Sequence, residues 1–274
     1  MHTPDGLPDP LRHAIAQTVA AERLEGWRPT DEHIGALIAL VCDEVSFGQY
    51  LAVYRARHPS DGSTPHRDYR HIFRRSRPYL IPGTTVLRNN FGVDSHAALS
   101  ELEFVATAGR IAGWHGRLAR PGAGIRDVDV QTIHQHVFAD VYPWAGAYRV
   151  TELRRGDSVF AWQSAVGRSM VAVHESARAI ANHGASLEAP ALAYRLARLY
   201  ADYNHVHPFR EGNGRAGTLL LHTVTALCGR RLDFSGVSRE QWYAASRDSM
   251  PFRRDGRPRH RPFLPLMVDA LRER

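Results

Sequence analysis

Nine consecutive residues, His207-Pro208-Phe209-Arg210-Glu211-Gly212-Asn213-Gly214-Arg215, gather groups that could handle a phosphate. His207 is a base at neutral pH, held by the stiff Pro208. Glu211 offers a hard oxygen ligand for the Mg²⁺ that a polyphosphate carries. Gly212 and Gly214 let the backbone approach an anion with no Cβ in the way. Arg215 adds a planar fork of donors, and Phe209 is the apolar residue that anchors such a loop in a core. Each part alone is ordinary: a lone histidine near a helix start is more often a surface residue or a cap, and a Gly-x-Gly is usually a turn. Base, acid, glycine pair, amide and arginine together read as a phosphate site with a base and a metal ligand attached.

The elements that must hold these groups are legible around them. From Arg215 to Cys228 the chain is apolar at Leu219, Leu220, Val224 and Leu227, which is helical spacing, and Gly229 supplies the stop. The glycines therefore sit at a helix N-terminus, where free backbone N–H groups and the dipole favour an anion. An earlier helix with Leu192, Leu196, Leu199 and Tyr203 delivers the chain to His207. Tyr148, Val150 and Leu153 before Arg155-Gly156-Asp157, with Val159-Phe160 after it, read as a short hairpin, the one strand signal in the chain. Ser95 caps a helix through Val105, Asp127 caps another to Val141, and Ser238 opens a capping box with Gln241. A last helix runs from Phe263 to Leu271. His134 and His136 read as packed or surface histidines, since no carboxylate pair supports a metal there.

The nine residues resemble the Fic motif, His-x-Phe-x-(Asp/Glu)-Gly-Asn-Gly-Arg, with every fixed position filled. Tyr79 to Asn89 is similar to the entry of a Fic domain, and the hairpin to the flap that lies over its active site and lines up the target's side chain.

Composition narrows the alternatives. With 43% hydrophobic residues, 274 residues can bury a proper core. The two cysteines, Cys42 and Cys228, read as buried free thiols rather than a disulfide framework. No stretch has the length of a membrane span and the N-terminus lacks a signal pattern, so a cytoplasmic protein is expected. The net charge of +7 would suggest nucleic acid. All 35 basic residues are arginine, however, and no zinc finger or basic zipper helix is present, so nucleic acid is not expected as a partner. Without lysine a phosphate must be held by arginine, backbone and metal.

The charge is uneven. Residues 1–58 carry five arginines against eight acids, −3, and the remainder 30 arginines against 20 acids, +10. Three helices are predicted in the front segment: one opened by Asp9 and Pro10 and stopped by Gly26, one capped by Thr30, and one capped by Ser46. A Pro/Gly/Ser-rich run, His58 to Pro65, follows as a linker. The front segment resembles the small antitoxins that inhibit Fic enzymes through a Ser/Thr-x-x-x-Glu-Gly/Asn motif. Glu25-Gly26 match it, and Ala21 stands where the hydroxyl residue belongs.

The expected fold is all-α with a small β-hairpin: an antitoxin-like helical module over 1–58, a linker over 59–66, and a Fic domain over 67–274. The resemblance implies a protein adenylyltransferase that uses ATP and Mg²⁺. In it, His207 is the base, Glu211 the metal ligand, and Phe209, Gly212, Asn213, Gly214 and Arg215 the nucleotide-binding residues, with Glu25 as the inhibitor. Its target would be a protein hydroxyl; related toxins modify type II topoisomerases. One departure leaves the donor open. The family's second arginine, three residues after the first, is Thr218 here. Another nucleotide or phosphate ester as donor, or a silent scaffold that binds nucleotide or a partner, are the alternatives.

Overall fold

A computed structural model describes residues 6–59, 77–120, 122–156 and 158–273. The expected linker lies, beyond Pro59, outside the described residues. The chain opens with α1 (Asp9–Leu24), α2 (Asp31–Val41) and α3 (Phe47–Arg55). Thr30 and Ser46 cap α2 and α3 as expected, each in a capping box, with His33 and Gln49 as the returning side chains. Asp9 does not cap α1. Pro8 holds that position, and Asp9 instead accepts from Arg12 (2.9 Å) and Arg231 (2.7 Å).

The body consists of α4 (His96–Leu118), α5 (Val130–Phe138), α6 (Val166–His183), α7 (Ala189–Val206), α8 (Asn213–Leu227), α9 (Arg239–Ser249) and α10 (Leu264–Ala270). Between α5 and α6 lies the hairpin of β1 (Arg154–Arg155) and β2 (Ser158–Val159), paired antiparallel. The cap of α5 is Asp129, which accepts from Gln131 N at 3.1 Å. Asp127 closes the short 3₁₀ turn before it by accepting from Gly124 N. A second antiparallel pair, β3 (Arg230–Leu232) with β4 (Leu271–Glu273), was not foreseen. Three residues with two arginines among them carry no alternation to read, and the partner strand lies about forty residues away.

Helix α8 is the axis of the fold, buried almost all round from Asn213 to Thr225. Helices α4, α5, α6 and α7 surround it, and Trp114 Nε1 of α4 donates to Thr223 Oγ1 of α8 at 3.0 Å. The front helices share this core. Leu24, Leu37 and Tyr54 belong to the same buried cluster as Leu102, Phe138 and Leu220. α1 lies along α4 and reaches α8. At Gly109 of α4 the Tyr50 ring comes so close that an added Cβ would stand 2.8 Å from it. Leu24 and Leu37 are 2% and 0% exposed. Uncovering either would forfeit roughly 1.5–3 kcal/mol, so α1–α3 are built into the body and are not merely laid against it.

Candidate active site

The chain leaves α7 at His207, whose backbone is left-handed (φ 48). Such a conformation is costly for a residue with a Cβ and must be held from outside. Arg149 holds it. Its guanidinium, 1% exposed, donates to the carbonyls of His207 (2.8 Å), Val206 (3.2 Å), Ala161 (2.6 Å) and Thr151 (2.8 Å). One side chain thus ties the end of α7 to both flanks of the hairpin. Arg149 N also donates to Pro208 O, and Ala161 N to His205 O. Nothing in the sequence separated Arg149 from the other arginines, because its partners are backbone carbonyls remote in the chain.

The His207 imidazole stacks on Phe160, just after β2, with ring centroids 3.8 Å apart and planes 12° off parallel. Burial, with Arg155 and Arg149 adding to it, pushes its pKa down to about 3, so the ring is neutral and able to take a proton. Phe209 lies in the core, 0% exposed, stacked 3.8 Å from the His134 ring. That is the anchoring role, with no access to a ligand. His134 in turn donates from Nε2 to Glu211 O (3.0 Å) and accepts at Nδ1 from Gly146 N (2.9 Å). The packed histidine read from the sequence therefore shapes the loop.

Asn213 closes the loop with both ends of its amide: Oδ1 accepts from Phe209 N (2.9 Å) and Nδ2 donates to Phe209 O (2.8 Å). Gly212 turns at φ 78 against Phe138, where a Cβ would lie 2.2 Å from the ring, so only glycine fits. α8 begins directly after it, and its first N–H groups have no partner within the helix. Glu211 is half-buried beside them, one oxygen accepting from Gly212 N at 3.1 Å. Burial and the neighbouring Glu103 raise its pKa.

Arg215 departs from the expectation. Its guanidinium turns away from the loop into the core, 4% exposed. There it pairs with Glu103, donates to Thr107 Oγ1 (3.1 Å) and lies 3.6 Å from Glu22 of α1. It also covers the Phe138 ring at 4.7 Å. Burial outweighs Arg215 at Glu22 and pushes that carboxyl up to about 8. Helical spacing says which residues share a face, and α8 has no solvent face, so the direction of Arg215 was not readable. Thr218 is likewise turned inward, its hydroxyl donating to Gly214 O and Arg215 O.

A pocket of ≈ 200 Å³ opens over the N-terminus of α8. His207, Glu211, Asn213 and Gly214 form its floor, and Tyr200, Tyr203, Trp242 and Tyr243 an aromatic wall. Arg154 and Arg155 of the hairpin and Arg210 bring positive charge. Glu25, at the end of α1, also lines it. Its carboxylate contacts Gly214 and faces the Tyr243 hydroxyl at 3.5 Å. No group of three His, Cys, Asp or Glu among the described residues forms a ready metal centre. No described helix is long and apolar enough to cross a membrane, and both cysteines are free, Cys228 buried and Cys42 half-buried.

A helical body that presents a base, a carboxylate and a glycine-lined helix N-terminus beside a hairpin has the chemistry that suits a phosphorylated ligand. Residues 125–225 match the model of the Fic/DOC family. The chain is 28% identical over 170 residues to the "Probable protein adenylyltransferase Fic" of Escherichia coli (strain K12), covering 62% of this chain and 82% of that protein. It is 29% identical over 168 residues to the "Probable protein adenylyltransferase y4lH" of Sinorhizobium fredii, covering 61% and 85%. Its fold is similar to that of BepC from Bartonella tribocorum, a VirB-translocated effector solved with bound AMPPNP. The TM-score is 0.58 at 20% identity, over 72% of this chain and 97% of that one.

Proposed function

We propose that this chain is a protein adenylyltransferase that transfers AMP from ATP to a Ser, Thr or Tyr hydroxyl of a target protein. The observation that carries the reading is the joint placement of neutral His207, Glu211 and the open N-terminus of α8 in one pocket with an aromatic wall. The wall suits a purine, and the helix N-terminus suits its phosphates. The target oxygen attacks the α-phosphorus and a new P–O bond forms. The bond from that phosphorus to the β-phosphate's bridging oxygen breaks, and pyrophosphate leaves with the electron pair. His207 takes the hydroxyl proton. The phosphate anion brought beside the imidazole raises its basicity toward the working pH.

Mg²⁺ fits this donor set. The ion binds through one or two carboxylates plus substrate phosphates, and Glu211 is a single hard oxygen donor at the helix end. Glu211 would hold it, and it would neutralise phosphate charge. Positioning and electrostatics supply the rest.

Glu25 would inhibit by occupying the anion site at Gly214, in a module over 1–58 that shares the body's core. The inward-turned Thr218 favours one second reading, a different nucleotide or phosphate ester as donor. Mass spectrometry of the Glu25→Gly chain after incubation with Mg²⁺ and each nucleoside triphosphate tests both. Addition of one adenylyl group from ATP alone, lost with His207→Ala, supports the proposal. Another adduct identifies another donor. No adduct on the chain or on added proteins, despite nucleotide binding, leaves a binding scaffold.

A further inference from the structure

We propose that Arg155, carried over the pocket by β1, is a donor-phosphate-binding residue of this enzyme. The inference rests on the nucleotide reading above and concerns how this chain neutralises the polyphosphate. A triphosphate needs cationic side chains as well as helix N–H groups, and the chain has no lysine. The motif's own arginine is not free for the task, because Arg215 is locked in the core with Glu103, Thr107 and Glu22. Thr218, one turn into α8, spends its hydroxyl on its own helix. Charge must come from outside α8.

Arg155 is placed for this. It lines the same pocket as Gly214, is solvent-exposed, and has no carboxylate partner among the described residues. Its guanidinium rests over the Tyr243 ring, 5.1 Å from the centroid, and acts electrostatically on His207. The second guanidinium on that ring, Arg239 at 4.7 Å, is tethered, donating to Leu24 O at 3.2 Å. The Tyr243 hydroxyl points at Glu25. Glu25, Arg155 and Tyr200 line the same pocket, and the two charges act on the Tyr200 phenol with opposite sign. An anion replacing the Glu25 carboxylate at Gly214 comes within reach of Arg155. The hairpin then grips the donor as well as covering the site.

Calorimetric titration of the full chain carrying Glu25→Gly, with ATP and with adenosine, tests this. Arg155→Ala is expected to weaken ATP about 10- to 100-fold, the worth of a charge-assisted contact, and to leave adenosine unchanged. Arg155→Lys is expected to recover part of the loss. Equal weakening of both ligands would make Arg155 a wall of the base pocket, and no change in either would make it a bystander; each overturns the proposal while the nucleotide reading stands. If the Arg155-intact chain binds neither ligand, the nucleotide reading falls and this inference with it.

Discussion

Glu25 rests on Gly214. A Cβ built on that glycine would stand 1.7 Å from Glu25 Oε1. The residue that caps the C-terminus of α1 thereby covers the part of α8 where N–H groups lack helical partners, and a carboxylate is the kind of group that such a position attracts. In the proposed function, phosphate and Glu25 compete for one place.

Removing the carboxylate is therefore expected to free the site. Auto-labelling by α-labelled ATP should rise severalfold in Glu25→Gly, and Glu25→Gln should fall between that variant and wild type. Labelling that depends on His207 yet runs no faster in Glu25→Gly would show that α1 does not restrain the enzyme.

Gly214→Ala separates the two occupants. Its backbone is ordinary helix, and the atom it would strike is the end of a flexible side chain, so the variant is expected to fold with a change below about 1 kcal/mol. The methyl group displaces Glu25 but also fills the phosphate seat. ATP affinity measured by calorimetry should drop rather than rise, in contrast to Glu25→Gly.

Arg215 is a structural cation, and its loss should show first in stability. Arg215→Met leaves Glu103 without its buried partner, at an expected cost of about 3–5 kcal/mol in urea unfolding. Arg215→Met combined with Glu103→Gln is expected to recover much of this. Full stability with activity lost in Arg215→Met would instead return the residue to the catalytic machinery.

Acid should loosen the junction of α1 with the body. His13, His115 and His222 meet there, with ring centroids 4.7–6.5 Å apart, facing Asp9, Arg230, Arg231 and Asp233. Burial pushes His115 down to about 3 and His222 well below its ordinary value, and it lowers His13. These histidines take up protons on unfolding once pH drops below about 6.5, so their contribution is intact above that value and is lost as pH falls toward 3. For His115 and His222 together the slope reaches up to about 3 kcal/mol per pH unit. Glu22, raised to about 8, acts oppositely, favouring the fold toward acid. The readout is thus the difference in urea midpoint between wild type and the His115→Leu/His222→Leu double variant. It should shift in the variant's favour from pH 7 to pH 4.5, and a constant difference would refute the linkage.

Local chemistry made much of this legible in advance. Thr30, Ser46 and Ser238 announce their helices because a cap is decided within four residues. The place of Gly212 and Gly214 at the start of α8 was readable because a glycine pair before an apolar helical run marks a helix beginning. Arg149 and the direction of Arg215 were not, since both depend on partners far away in sequence. The β3–β4 pair escaped for the same reason. Glu25 was singled out by resemblance alone, as a glutamate before a glycine is an ordinary helix end.

The shared core of α1, α4 and α8 fixes the stoichiometry of whatever Glu25 does. A blocking carboxylate on a separate chain leaves on dilution, and its occupancy follows concentration. Here Leu24 is buried in the same cluster as Phe138 and Leu220, so the next residue faces Gly214 at a local concentration set by covalent geometry. Under the proposed inhibition by Glu25, opening the site is a unimolecular equilibrium. Its midpoint does not depend on protein concentration, and a change at Glu25, at its seat, or in the ligand competing for that seat moves it.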